Sequence, residues 1–362
     1  MRKRISAGLT AFFVICISLG FSPTPAQAAD VKVILFDAPH SDLLGAPLNS
    51  ELDASLLPNG RLGLPVFTPV AKPRIWLIDA ALIDEVMALA AKDLNAQNWL
   101  TQLKVASVDD KVFAIPYGHP DLSMAKRLAP SELNYYYDSS KLRLQTSLSR
   151  QVLLNRSLRW TTTRTKIAAD AVRSYSQNRR DLALLSTVVP AQQLDTLRSQ
   201  LAFLLSSDST TKRQLYFAHN ADLALSAANH RLRIVPGKYR LTSQHEKVPI
   251  TLVNDFGTPV VVTLRLTPLN SRIRVGNPET VALGANSKTQ LSVPITVIAP
   301  GSTAVLAEFR NAEGKGLGDS VILTLNVSVI SPAVAWFTSG AAVLLFLAAL
   351  TQSIRRVRRS RK

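Results

Sequence analysis

The sequence predicts an α/β domain on a mainly parallel sheet, then an antiparallel immunoglobulin-like β-sandwich, then one C-terminal transmembrane helix. Three observations predict it. Strand-like and helix-like segments alternate between residues 31 and 230, period-two apolar alternation takes over after Arg231, and residues 333–350 carry no charge ahead of a terminal Arg/Lys cluster. The expected divisions are 1–29 (export signal), 30–235 (extracytoplasmic α/β domain), 236–330 (β-sandwich), 333–352 (transmembrane helix) and 353–362 (basic cytoplasmic tail).

The chain opens with Arg2, Lys3 and Arg4, an apolar run from Ala7 to Phe21, and then Ala26-Gln27-Ala28-Ala29. Charge, apolar run and small residues in that order are what a signal peptidase reads. The run covers only about two-thirds of a hydrocarbon core of roughly 30 Å, so cleavage after Ala28 or Ala29 is expected rather than a permanent anchor. Cys16, the single cysteine, leaves with that segment. The mature chain then has no disulfide and depends on packed cores.

Within the α/β part, Val31–Phe36 and Ile75–Ile78 read as strands. Leu82, Val86, Leu89 and Ala90 recur at helical spacing, continued by Trp99, Leu100 and Leu103. Val112–Ile115 is a compact strand signal stopped by Pro116. Further strand-like pieces stand at Trp160–Thr163 and Leu182–Val189, with helix-like Ile167–Tyr175 between them. Such alternation indicates a parallel sheet covered by helices.

The second part is patterned differently. Val248–Leu252, Val260–Leu266, Leu291–Val297 and Val321–Val329 alternate apolar with other residues, so each buries one face. Turn chemistry separates them at Asn254-Asp255-Phe256-Gly257, Asn270-Ser271, Gly284-Ala285-Asn286 and Glu313-Gly314. Short strands at this spacing predict the sandwich. After it, Ala333–Leu350 reads as a span with Trp336 at its outer interface. Arg355, Arg356, Arg358 and Arg359 hold the following tail in the cytoplasm, which places the N-terminus outside a plasma membrane.

The formal charge is +17, and setting aside three charges of the signal and six of the tail leaves +8. Residues 141–180 hold ten Lys and Arg against Asp170 alone, which supplies that whole excess. Arg143, Arg150, Arg156, Arg159, Arg164 and Lys166 are the candidates for binding an anionic ligand by long-range attraction. The plainer reading is a set of solvated helix faces. An extracytoplasmic chain implies no nucleic-acid partner; an anionic wall polymer, a lipid-linked precursor or a flippase is the kind of partner expected.

Chemistry is concentrated in Trp76-Leu77-Ile78-Asp79 and Ile115-Pro116-Tyr117-Gly118-His119-Pro120-Asp121. Both set a polar group just after a strand, at the carboxyl edge where α/β folds place their sites. Asp79, His119 and Asp121 are the candidate catalytic residues, of the types that exchange protons or bind a divalent ion. Asp79 and Asp121 read equally well as helix N-caps, and His119 as a turn former. His40 is a further imidazole, and Tyr135-Tyr136-Tyr137 reads either as a sugar-stacking surface or as packing. No P-loop, GxGxxG, HExxH, CxxC or GxSxG occurs, and no cofactor or dedicated metal site is expected.

The segments Trp76–Leu82, Trp99-Leu100, Ile115–Asp121 and Val248–Gly257 together resemble an actinobacterial family of uncharacterised single-pass envelope proteins. The resemblance covers nearly all of the mature chain. It implies a distal domain like the barrel of glycoside hydrolases and polysaccharide deacetylases, in degenerate form, and a gene commonly beside that of the lipid II flippase. This chain carries His119 where the family often has an acidic residue. The expected function is a non-catalytic binding or accessory module in cell-wall biogenesis; the alternative is a metal-dependent carbohydrate-active hydrolase or deacetylase.

Overall fold

The computed structural model describes residues 31–70, 73–160, 166–206, 208–276, 280–328 and 332–359. The expected export signal, Arg164 and the last three residues lie outside them.

The chain enters through β1 (Val31–Leu35), followed by α1 (Glu51–Leu56), α2 (Leu64–Phe67) and β2 (Arg74–Ile78). Next come α3 (Ala80–Ala90), α4 (Leu94–Ala106), β3 (Lys111–Ala114), α5 (Leu122–Leu128), α6 (Pro130–Leu148) and β4 (Leu153–Leu154). The four strands pair in parallel in that order, with Val33 beside Trp76 and Trp76 beside Val112. β2 lies inside the sheet, so Trp76, Leu77 and Ile78 are all fully buried and the strand reads as an apolar run rather than an alternation. Asp79 and Asp93 start α3 and α4 by accepting from the Ala81 and Ala96 backbone N–H groups.

Helices then take over with α7 (Ala169–Leu185), α8 (Asp195–Gln200) and α9 (Thr211–His230). This corrects the expectation of a barrel-like, mainly parallel sheet. The parallel sheet stops at four strands, and its last strand is only two residues long. Leu182–Leu185, read as the start of a strand, is the last turn of α7. Ala171, Tyr175, Asn178, Leu182 and Leu185 form one buried helical stripe, and that spacing outweighs a short apolar run.

Nine strands follow: β5 (Leu232–Ile234), β6 (Lys238–Leu241), β7 (His245–Asn254), β8 (Val260–Pro268), β9 (Ile273–Val275), β10 (Thr280–Leu283), β11 (Ser287–Val297), β12 (Gly301–Arg310) and β13 (Gly316–Val327). They form two immunoglobulin-like sheets in the orders β10-β8-β12-β13-β6 and β5-β7-β11-β9. The sandwich is not wholly antiparallel, because β6 runs parallel to β13. Hairpins force neighbouring strands antiparallel, whereas these are an early and the last strand, joined by no turn and free to align either way. Buried Val262, Leu264, Leu266, Val293, Ile295 and Val297 supply the core between the sheets, which is continuous with that of the α/β part. α9 and α7 pack on β13, and Asn311 Nδ2 donates to Thr187 Oγ1 at 3.1 Å across the junction.

The last element is α10 (Pro332–Arg359). Among the described residues no helix is long and apolar enough to cross a membrane, which stands against the expected span over 333–352. Trp336 is 80% exposed, and the side chains of Arg355, Arg356, Arg358 and Arg359 lie outside the described ones.

Candidate functional site

At the carboxyl edge of the parallel sheet, Asp79 and His119 meet. Asp79 follows β2 and His119 follows β3, so parallel pairing of the two strands brings them together. His119 Nδ1 donates to Asp79 Oδ2 at 2.8 Å, and Asp79 Oδ1 accepts from the Ala81 and Gly118 N–H groups at 2.9 and 3.1 Å. A carboxylate can only accept, which assigns the proton of this bond to Nδ1. The loop that delivers His119 turns through two left-handed residues, Gly118 at φ +70° and His119 at φ +39°. A Cβ on Gly118 would stand 2.8 Å from the Phe203 ring, so glycine is required there on both counts. His119 Nε2 has no hydrogen-bond partner among the described residues; the nearest charge is Asp208 Oδ2 at 3.8 Å.

Asp121 does not join the pair. Its Oδ1 accepts from the Met124 N–H at 2.7 Å and caps α5, while its own N–H donates to Leu205 O. Nor does His40, which is held by Asn49 at 2.8 Å and lies 3.3 Å from Asp37. Among the described residues no three His, Cys, Asp or Glu side chains could hold a metal ion. With Asp79 fully buried and His119 only 1% exposed, the pair is shut away from solvent in this conformation.

The basic stretch divides into two groups. Arg143 is a structural brace: it pairs with Asp84 at 2.8 Å and Asp195 at 2.7 Å, tying α6 to α3 and α8. Burial pushes the Asp84 carboxyl above its usual range, with Arg143 as the main opposing influence. Arg150 is also committed, donating to the backbone carbonyls of Ser107 and Asp110. Lys166 is exposed, and Arg164 lies outside the described residues.

Arg156 and Arg159, by contrast, reach a cleft of about 670 Å³ between α5, α6 and the segment after β4. Lys126 joins them from α5, so three exposed cations stand around one opening. Half-buried Leu122, Leu133 and Leu158 make its apolar wall, with Ser123, Asn134 and Ser157 beside them. Among the described residues no carboxylate lines the cleft; Asp138, on α6, stands 3.8 Å from Arg156. The Arg156 guanidinium lies over the Tyr137 ring at 5.6 Å.

The tyrosine run is divided by helix geometry. Tyr136 faces inward and meets Tyr175 at 3.2 Å, while the Tyr135 hydroxyl is engaged by Asp195 with Arg198 over its ring at 3.9 Å. Tyr137 alone lines the cleft. Sequence reading missed Lys126 because the basic excess was counted from Lys141, and α5 brings Lys126 across from an earlier segment. Its signal was the adjacent pair Lys126-Arg127 in the last turn of the helix that Asp121 caps.

A family model described as a family of unknown function, DUF6049, matches residues 121–362. The chain belongs to this family. The matched stretch includes Lys126, Tyr137, Arg156 and Arg159, whereas Asp79 and His119 precede it. No curated protein matches the chain. Among solved structures, WR4, a C. elegans MSP family member, is 12% identical with a TM-score of 0.22, over 27% of this chain and 98% of that one. Native E. coli alpha-2-macroglobulin is 13% identical with a TM-score of 0.22, over 27% of this chain and 6% of that one. The E. coli chaperone DraB is 13% identical with a TM-score of 0.21, over 27% of this chain and 54% of that one.

Proposed function

We propose that this DUF6049 member is a non-catalytic binding module of the cell envelope, acting at the outer face of the plasma membrane and capturing an anionic wall component at the α5–α6 cleft. The observation that carries this reading is a cleft of about 670 Å³ with Lys126, Arg156 and Arg159 around it and no carboxylate among the described residues of its lining. That volume falls within the range of ordinary ligand sites, roughly 300–1,000 Å³. Exposed positive charge beside a concave surface, here with Arg156 shared with Asp138 at 3.8 Å, raises the local concentration of anions and speeds their capture. The envelope location rests on the signal-like N-terminus and on the resemblance to single-pass envelope proteins that neighbour a flippase. A non-catalytic role is supported by the commitment of Asp79 and Asp121 to helix caps and by the burial of His119.

The test is co-sedimentation of the full chain with isolated cell walls, before and after extraction of their anionic polymers. The reading predicts binding that extraction abolishes and that added salt weakens, since exposed charges are screened beyond about 8 Å at physiological ionic strength. Equal binding to both preparations would overturn it.

A further inference from the structure

We infer that the loop between β1 and α1 is a pH-sensitive strap at the carboxyl edge of the parallel sheet, held closed by the protonated ring of His40 and loosened when that ring loses its proton. None of its residues belongs to the anion site.

The loop, residues 36–50, folds on itself. Asp42 Oδ1 accepts from the Leu44 and Ala46 N–H groups at 2.9 and 2.8 Å, and Leu48 N–H donates back to His40 O at 2.8 Å. Charged groups tie it to the rest of the chain. Glu85 of α3 accepts from the His40 N–H, the Ser41 N–H and the Ser41 hydroxyl at 2.9, 2.9 and 2.7 Å. Arg213 of α9 donates to Pro39 O, and Arg61 pairs with Asp37. Phe36, at the root of the loop, lies against the His119 ring at 4.9 Å, which sets the strap beside the buried Asp79–His119 pair.

His40 is 7% exposed, and both its ring nitrogens face acceptors. Nδ1 lies 2.8 Å from Asn49 Oδ1, and Asn49 Nδ2 donates to Glu51 Oε2 at 3.1 Å, which fixes the amide with its oxygen toward the ring. Nδ1 therefore carries a proton. Nε2 lies 3.3 Å from Asp37 Oδ2, an ion-pair contact rather than an aligned hydrogen bond. A bare Nε2 would turn its lone pair toward that carboxylate, whereas a protonated one makes the ring a cation between Asp37 and Glu85. His40 and Arg61 then balance the two carboxylates. Removing the His40 proton leaves Arg61 alone against both, and its side chain is 57% exposed. Burial works against the charged ring, but the contacts with Asp37 and Asn49 and the charge of Glu85 outweigh it and hold His40 above its ordinary value. A group raised in the folded state contributes stability that is complete below its unfolded value, about 6.5 for histidine, and is lost as pH rises through the folded value. The strap is therefore tight below that pH and loosens above it.

Hydrogen exchange of the full chain, read by mass spectrometry and corrected for the intrinsic pH dependence of exchange, tests this. In wild type the amides of residues 37–48 should lose about threefold or more of their protection between about pH 6 and about pH 8.5, while those of β7 and β11 keep theirs. His40→Gln should show the looser loop at both pH values, and Asp37→Asn should respond to pH less than wild type does. Burial also raises Glu85, so His40→Gln, which keeps Glu85, isolates the imidazole. Equal protection of 37–48 at both pH values in wild type, a loss with pH that persists in His40→Gln, or an Asp37→Asn variant as pH-sensitive as wild type overturns the inference. Should His40→Gln fail to fold, proton NMR of the wild-type His40 ring decides: a titration midpoint above about 6.5 is expected, and one at or below it overturns the strap.

Discussion

His119 Nδ1 donates to Asp79 Oδ2 at 2.8 Å, and neither residue is more than 1% exposed. The contact welds the ends of two adjacent parallel strands to the start of α3 and to the turn that carries Gly118. It is a brace at the place where α/β folds keep their sites. Asp79→Ala removes the acceptor of three buried donors: Ala81 N–H, Gly118 N–H and His119 Nδ1–H. The expected loss is roughly 3 kcal/mol in urea unfolding, from one lost cap and buried groups left unpaired. A change below about 0.5 kcal/mol would contradict the brace.

On charge alone Arg143 reads as one of the ligand-binding cations, but its pairing with Asp84 and Asp195 predicts different behaviour. Arg143→Met should cost about 1–2 kcal/mol at neutral pH, between the values for exposed and buried pairs, with no change in anion binding. Without Arg143 the Asp84 carboxyl, already raised by burial, rises further. A carboxyl raised in the folded state contributes stability below its unfolded value of about 3.9 that is lost as pH increases. The deficit of the variant should therefore shrink as pH is lowered toward 4. A deficit independent of pH in thermal melts would count against this account.

Asp110 behaves in the opposite sense. Burial raises its carboxyl, but the Arg74 N–H, the Trp76 indole N–H and the Arg74 side chain outweigh burial and hold it below the usual carboxylate range. A lowered carboxyl contributes stability above its unfolded value of about 3.9, lost as pH falls through the folded value. Melts of wild type and Asp110→Asn from neutral to acid pH should show a gap of about 1–2 kcal/mol at pH 7 that closes in acid. A constant gap would show that the charge is not what matters.

Much of this was legible in the sequence. Asp79 and Asp121 as helix caps, the strands at Ile75–Ile78 and Val112–Ile115, the latter found one residue earlier at Lys111–Ala114, and the period-two runs now in β7, β8, β11 and β13 all follow from local spacing and capping chemistry. What failed depended on long-range partners. Leu182–Leu185 lacks a strand neighbour and stays helical, and β6 pairs parallel with β13 across most of the sandwich sequence. At the site, a count of charges cannot distinguish Arg143, which meets two carboxylates, from Arg156, which lies over Tyr137 beside the cleft. The partners decide that, and they come from α3, α8 and α5.

Asn254 offers a separate check on the sandwich. Fully buried, it donates through Nδ2 to Thr258 O at 2.9 Å and Gly284 O at 2.7 Å and accepts from Phe256 N–H at 3.0 Å. Asn254→Ala should destabilise the chain by about 2 kcal/mol. Asn254→Asp should recover little, since a carboxylate repels both carbonyls. Full stability in either variant would contradict this role.

The central claim is that Lys126, Arg156 and Arg159 make one anion site. Calorimetric titration of the full chain with inorganic pyrophosphate, wild type against an Arg156→Gln, Arg159→Gln double variant, tests it most directly. The account predicts a loss of about tenfold or more in affinity, corresponding to about 1.4 kcal/mol, with Arg143→Met binding as wild type does. Equal affinity in wild type and the double variant, or an equal loss in Arg143→Met, would contradict it.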